Sequence, residues 1–350
     1  MDQQPISKTT ILSYDRLLEA YQLARRGKFK FKLDSIEFND NLKTNLDQLY
    51  YELDKGMYYP NPLKKFYISE PKERLILAPC FRDKVVHNLI NLKLGPFFQR
   101  QFIKDSYSCI VGKGNRRALH TLHHYLNCAL NRYGENSYGV KVDIEKFFYR
   151  IDRIQLLREL GRYTHCSWTL ALLERIIQHD TNQTVGLPLG NLTSQLFANI
   201  YLNGLDHYIK RTLRVNYYIR YCDDLFLMTP DKRQAKVTLD LITQRLRDLA
   251  LTTTPEKSYI FKLNQRFQAL GYTLDRHTIR FKQANYIKFN QIVSNFIDLR
   301  EELDPRMIHQ SLNGWTNYLN TAHSRPFLNH LEALYPEVSI VNQHITIKTD

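Results

Sequence analysis

The 350-residue sequence has no run near the roughly 18 apolar residues of a membrane-spanning helix, which sets aside a helical membrane span. Met1 to Thr10 lack the apolar core of a signal peptide, so the expected compartment is the cytoplasm, with no membrane partner. Cysteine is scarce. The five residues Cys80, Cys109, Cys128, Cys166 and Cys222 form no CxxC pair and are odd in number, which suits reduced thiols rather than a disulfide framework. The GxxxxGK[ST] spacing is missing, so Gly112-Lys113-Gly114-Asn115-Arg116-Arg117 is not a Walker A loop. His120, His123 and His124 have no cysteine or acid at ligand spacing and read as helix-face histidines rather than a zinc site. Internal repeats, low-complexity tracts and long linkers are also absent.

Positive charge is abundant. Lys and Arg number 49 against 35 Asp and Glu, a net +14 that favours a polyanionic partner. Aromatic residues make up 12%, including 23 Tyr; most belong in a core, and the rest offer stacking surfaces for single-stranded nucleic acid. At this length the chain can bury a large core and divide into two or three lobes.

Helical periodicity is expected over residues 14–26, 41–56 and 81–94. Between the first two lies the tract Arg25 to Lys32, five cations with two rings, which reads equally as a phosphate grip or a solvated connector. Residues 66–79 read as a hairpin with Lys72 and Arg74 near its tip, followed by a helix opened by Arg82. Cations so placed can converge on a triphosphate, although each alone is an ordinary surface charge.

The chemistry concentrates further on. In Ser137 to Asp152 a short strand ends in Asp143 and helical spacing follows, a position that suits either a metal ligand or a helix N-cap. Residues 185–202 place two glycines and a proline in an irregular loop before a long helix that starts near Thr193. Residues 217–228 read as two strands flanking Asp223-Asp224 at a hairpin tip. A helix over 231–250, a strand after Lys257, and a hairpin formed by 267–274 with 279–281 come next; helices are expected to dominate from about Lys282.

The ordered series strand-Asp143, LPLGNLTSQ, YCDD, PEK and LGY resembles the motifs of reverse transcriptases. RLILAPCFRDKVVHNLI and SYSCIVGKGNRRAL resemble the fingers motifs shared with group II intron enzymes, so the likeness covers almost the whole chain. The loop Leu189 to Gln195 has Leu where Gln is usual and Gln where Pro is usual, a pattern similar to that of diversity-generating retroelement enzymes.

The resemblance implies an α+β right-hand polymerase fold: N-terminal extension and fingers over 1–136, an antiparallel palm sheet packed on helices over 137–283, and a helical thumb over 284–350. It implies an RNA-directed DNA polymerase that copies a template-repeat RNA into cDNA, with errors chiefly at adenines, for diversification of a variable gene. Template RNA, nascent cDNA, dNTPs, a basic accessory variability protein and a structured RNA are the implied partners.

Asp143, Ile144, Asp223 and Asp224 would hold two Mg²⁺ ions, with Asp143 and Asp223 bridging them, Asp224 supporting the site, and Mn²⁺ as a substitute. Lys257 matches the lysine proposed to protonate pyrophosphate. Phe148 falls at the steric gate that excludes a ribose 2′-hydroxyl, and Arg74, Lys72, Arg82, Leu189, Gly190 and Gln195 at the nucleotide. Leu270, Gly271 and Tyr272 correspond to the primer grip. Cys222 stands where Ala or Met is common. The chain is expected to leave no room for an RNase H or endonuclease domain, so template removal and integration would fall to other proteins. Two alternatives are an antiviral defence reverse transcriptase and a non-catalytic RNA-binding scaffold that keeps the fold.

Overall fold

In the computed structural model, the described residues are 6–27, 32–69, 73–179, 184–299, 305–319, 321–322, 325–336, 338–341 and 344–347. Residues 28–31 of the basic tract, and Lys72 of the first hairpin, lie outside them.

Four helices open the chain: α1 (Lys8–Ile11), α2 (Tyr14–Ala24), α3 (Leu33–Asp40) and α4 (Leu42–Asp54). The Ser13 hydroxyl caps α2 by accepting from the amide of Arg16, one of the four donors a helix start leaves unpaired. The hairpin of β1 (Lys64–Ile68) and β2 (Arg74–Ala78) follows, then α5 (Phe81–Gln99), which tolerates Pro96 in its last turn. The short β3 (Ser106–Tyr107) and α6 (Asn115–Tyr133) lead to β4 (Tyr138–Asp143).

Where one helical run was expected after Asp143, two short helices form, α7 (Phe147–Arg150) and α8 (Arg153–Gly161). The break has a cause: the Ile151 carbonyl accepts from Gly186, and Asp152 caps α8 by accepting from the amide of Gln155. Next come α9 (Ser167–Gln178) and α10 (Leu192–His207), which runs on into a π-helical turn, Tyr208–Thr212. After these, β5 (Tyr217–Tyr221), β6 (Asp224–Thr229), α11 (Lys232–Asp248) and β7 (Tyr259–Lys262) complete the centre of the molecule.

The main sheet has the order β3-β5-β6-β4-β7, antiparallel except where β3 joins β5. Alternation along its strands supplies two apolar faces. Val140, Val142, Tyr218, Leu225 and Leu227 face a large core shared with α2, α5 and α10, whereas Ile219, Phe226 and Met228 face a second core built on α6. Each such buried aliphatic side chain contributes about 1.5–3 kcal/mol. Gly139 is needed where β4 meets β7, because a Cβ there would come within 2.3 Å of the Phe261 ring.

The expected second hairpin is a three-stranded meander, β8 (Phe267–Ala269), β9 (Tyr272–Leu274) and β10 (Ile279–Phe281). The helices α12 (Gln283–Asp298), α13 (Pro305–Leu319) and α14 (Arg325–Leu334) then enclose a third core around Phe289, Leu312 and Leu331. The expectation that helices dominate to the end missed a terminal hairpin, β11 (Val338–Val341) and β12 (His344–Ile347). Its β-branched residues favour the extended backbone. The mixed α+β architecture, a sheet packed on helices, is that of a right-hand polymerase.

Candidate active site

Pairing between β4 and β6 places Asp143 directly opposite Asp224. Directly opposed residues of antiparallel strands share a face, so both carboxylates belong to one edge of the sheet. Cys222 and Asp223 form the two-residue turn between β5 and β6, and Ile144 donates its amide to the Asp223 carbonyl at 3.2 Å. Residues 79 positions apart in sequence are thereby joined at the main chain.

That turn is strained. Cys222 has a φ of +56° while Asp223 is not in the positive-φ region, the pattern of a type II′ turn, in which glycine is the usual first residue. For a side chain such as cysteine the conformation costs about 1–3 kcal/mol. Burial, the neighbouring Asp223 carboxylate and Cys109 push its thiol pKa up, so the thiol stays protonated.

Each acid has a different environment. Oδ1 of Asp143 accepts from the Thr254 hydroxyl at 2.6 Å, and Nζ of Lys257 lies 3.4 Å from both of its oxygens. Ser258 accepts from the Asp143 amide at 3.1 Å, and Thr254 donates its amide to the Asp143 carbonyl at 2.8 Å. Asp224 is 3.6 Å from Nζ of Lys141, an ion-pair separation, and its Oδ1 is buried without a hydrogen-bond donor.

Burial raises the pKa of Asp224 to about 6; Lys141 opposes the rise, and the charges of Asp223 and Asp143 add to it. Asp223 is raised by the same burial, with Asp143 again adding. Holding Asp224 ionised at neutral pH costs about 3 kcal/mol, a cost that a bound cation offsets.

The donor set is hard oxygen throughout, which suits Mg²⁺ or Mn²⁺, and the underpaired Asp224 oxygen fits a cation partner. Ile144, its side chain buried, offers only its main-chain carbonyl. Among the described residues no three His, Cys, Asp or Glu side chains converge on one point as they stand. Asp143 is turned to Thr254 and Lys257, and Asp224 to Lys141, so the acids are gathered on one edge without forming a closed cage. Bound there, divalent ions would activate a primer hydroxyl and neutralise a triphosphate. Cys128 lies 3.5 Å from Nε2 of His124, one helical turn away, a neighbour the spacing argument overlooked; no third ligand joins them among the described residues.

The loop before α10 is fastened on two sides. Leu187 donates its amide to the Phe148 carbonyl at 2.7 Å, and the Leu189 carbonyl accepts from the Leu77 amide of β2 at 2.8 Å. Gly190, with a φ of +114°, sits against Ile76 and Leu77 of the same strand. Phe148, half-buried beside Phe147, and Leu189 are therefore both tied into this loop, while Gln195 is exposed on the first turn of α10. Arg74 is exposed at the start of β2. Arg82 points elsewhere: its guanidinium pairs with Glu52 and Asp83, donates to the Tyr59 carbonyl, and lies over the Tyr58 ring. That cation is held by partners of the N-terminal core in this structure, whereas the sequence expectation set it at the nucleotide.

Leu270 and Gly271 form the β8–β9 turn, both at positive φ. The Leu270 carbonyl accepts from Asn115 of α6 at 3.2 Å, and the Gly271 carbonyl from Tyr318 of α13 at 2.7 Å. Tyr272 donates to the Tyr318 carbonyl at 3.1 Å, so the three residues form a junction with the C-terminal helices.

Sequence reading passed over Lys141, Thr254 and Ser258. The signal for Lys141 was its place two residues before Asp143, on the same strand face. The hydroxyls gave none, because they reach Asp143 only through the β4–β7 pairing.

The chain is similar to the group II intron-encoded protein LtrA of Lactococcus lactis subsp. cremoris, 26% identical over 209 residues that cover 56% of this chain and 33% of that protein. It is also similar to the retron Ec73 reverse transcriptase of Escherichia coli, 29% identical over 207 residues, which cover 55% and 61%. It thus spans about a third of the length of the first of these relatives. Among solved structures, apo telomerase from Candida tropicalis aligns with a TM-score of 0.49 and 11% identity, over 65% of this chain and 50% of that one. The reverse transcriptase (RNA-dependent DNA polymerase) family matches residues 63–274, more than half of the chain and a span that holds Asp143, Asp223, Asp224 and Lys257. On that match the chain belongs to the reverse transcriptase family.

Proposed function

We propose that the protein is an RNA-directed DNA polymerase that extends a primer by two-ion nucleotidyl transfer. It copies a template-repeat RNA with frequent errors at adenines, and its cDNA diversifies a variable gene. The observation that carries the polymerase reading is the Asp143–Asp224 register with Asp223 in the adjoining turn, three acids on one sheet edge beside Lys257.

In this reading Asp143 and Asp223 hold the ions, and Asp224 supports them from its buried position beside Lys141. Lys257 is the proton donor to pyrophosphate, Arg74 binds the triphosphate, and Phe148 is the ribose gate. Leu270, Gly271 and Tyr272 hold the primer end. Residues 1–136 serve as fingers, 137–283 as palm and 284–350 as thumb, with a shared core joining fingers to palm.

Leu189 supports the error-prone half of the proposal. An aliphatic side chain supplies no directed hydrogen bond near a nascent pair, so mispair geometry is policed less strictly. A basic accessory protein and a structured RNA complete the complex. The test is Mg²⁺-dependent primer extension on the native flanking RNA, with the cDNA sequenced. Substitutions concentrated opposite adenine support the reading. Faithful cDNA removes the diversification role and leaves the polymerase; no cDNA removes both.

A further inference from the structure

Strand β5 carries a single charge in an otherwise apolar and aromatic run, and that charge is entirely buried. Arg220 and its partner Asp206 on α10 both have side chains with 0% exposure. Every N–H of the guanidinium is engaged. Nε donates to both Asp206 oxygens at 2.9 and 3.0 Å. Nη2 donates to Asp206 at 2.7 Å and to the Ser106 hydroxyl of β3 at 2.9 Å. Nη1 donates to Asn199 of α10 at 2.9 Å and to the main-chain carbonyl of Cys222 at 3.1 Å. Tyr218, two residues earlier on β5, donates to Asp206 at 2.6 Å.

A buried ion pair of this kind is a weak source of stability, because desolvation offsets most of the attraction and well-packed apolar residues often serve as well. What apolar residues cannot do is reach the turn. The Cys222 carbonyl belongs to the peptide plane that leads directly into Asp223, and Cys222 is the residue at φ +56°. The turn's other main-chain anchors come from the backbone, Cys222 to the Tyr107 carbonyl at 3.4 Å and Ile144 to the Asp223 carbonyl at 3.2 Å. Two elements, β3 and α10, and the strained β5–β6 turn therefore converge on one guanidinium, the turn through a single donor.

We infer that Arg220 is a positioning residue: its guanidinium, aligned by Asp206 and Asn199, holds the Cys222 carbonyl and so fixes the orientation in which Asp223 meets Asp143. The inference rests on the polymerase reading of those acids. Lysine cannot replace it, since three donors on one point cannot span acceptors spread over two elements and a turn.

The test uses the full chain with Arg220→Lys and with the paired change Arg220→Met, Asp206→Leu, which removes both charges and keeps apolar volume. Three quantities are read: thermal midpoint, kcat and KM for dNTP on a primer–template, and the rate at which iodoacetamide labels Cys222, followed by peptide mass spectrometry. In both variants kcat is expected to fall by about a hundredfold, the loss associated with an acid misplaced by about 1 Å, with KM nearly unchanged. Cys222 labelling is expected to rise several-fold while the thermal transition stays cooperative. A paired variant that folds and keeps wild-type kcat and Cys222 labelling overturns the inference and leaves the network a structural one. Should the wild type extend no primer, the polymerase reading fails; the labelling rate still decides the matter, because an unchanged rate in the folded variants shows that Arg220 does not hold the turn.

Discussion

Gly190→Ala tests whether the loop before α10 and strand β2 must stay in contact for nucleotide to bind. Two costs follow from the structure. The φ of +114° is open to glycine and strains an L residue by about 1–3 kcal/mol. The added methyl would also lie 2.8 Å from Cγ2 of Ile76 and 3.3 Å from the carbonyl oxygen of Leu77. Ile76 is β-branched, so its Cγ2 moves only if χ1 changes, and the carbonyl is part of a paired strand.

Relief comes most cheaply by lifting the loop from β2, which breaks the 2.8 Å bond between the Leu77 amide and the Leu189 carbonyl at a further cost of about 0.5–1.5 kcal/mol. The total, about 2–4 kcal/mol, is divided between lower stability and a displaced loop. In dNTP titrations of primer extension, KM is expected to rise about tenfold, the equivalent of about 1.4 kcal/mol, with a thermal midpoint lower by several degrees. Ile76→Ala removes the nearest clash but not the backbone strain. The double variant should therefore lose less than the sum of the two singles, as a double-mutant cycle reads it. A Gly190→Ala protein with the wild-type midpoint and wild-type KM, or strict additivity with Ile76→Ala, would refute the reasoning.

Three other outcomes are expected. Asp223→Ala abolishes primer extension in Mg²⁺ while RNA binding by filter retention stays near wild type; extension at full rate would remove Asp223 from the site. Leu189→Gln lowers misincorporation opposite template adenine, read by sequencing cDNA, and an unchanged error spectrum counts against a role for the aliphatic side chain. His87 is fully buried and its Nδ1 is 2.7 Å from the Thr193 hydroxyl; burial lowers its pKa from 6.5 to about 4. The folded state therefore binds its proton less readily than the unfolded chain, so His87 adds no penalty above pH 6.5 and stability is lost as pH falls through 6.5 towards 4. Between pH 7 and pH 5 this amounts to about 2 kcal/mol, and the gap between wild type and His87→Gln in unfolding free energy, read from urea titrations, should change by that amount. A constant gap across that range would show that His87 does not titrate as its burial requires.

What was legible in the chain depended on whether the signal was local. The run Tyr217 to Met228 shows a hairpin because its apolar alternation and its turn lie within twelve residues, and β5 and β6 form there. The helix after Asp231 was readable for the same reason, with an acid at the N-cap and an amphipathic run behind it. The split of α7 from α8 was not, because the groups that enforce it, Thr184 to Gly186, come 31 to 35 residues after their partners and act through backbone hydrogen bonds. Arg82 has a partner that no local signal shows. Its place beside a cation-bearing hairpin suggested a phosphate, yet Glu52 on α4 claims it, and nothing near residue 82 announces that partner. Tyr318 was hidden likewise, since its bond to the Gly271 carbonyl spans 47 residues.

Strand order explains why the acids meet at all. β4 lies between β6 and β7, although those strands come about 80 and 115 residues later, so a single strand end faces two elements made from distant sequence. On one side, pairing with β6 sets Asp143 against Asp224 and the turn that carries Asp223. On the other, pairing with β7 draws in the residues just before it, Thr254, Lys257 and Ser258, which supply every side-chain partner found for Asp143. Were β4 at the edge of the sheet, one of these two sets would be lost, leaving either acids without Lys257 or Lys257 without a second acid. Closing such long loops is entropically costly and slow, and it is compensated only when both pairings form together with the cores on either face. Folding of the central sheet and assembly of the acid edge are then expected to coincide, and a variant that loosens the β4–β7 pairing should lose Lys257 from Asp143 before it loses the β5–β6 hairpin, as amide hydrogen exchange would read it.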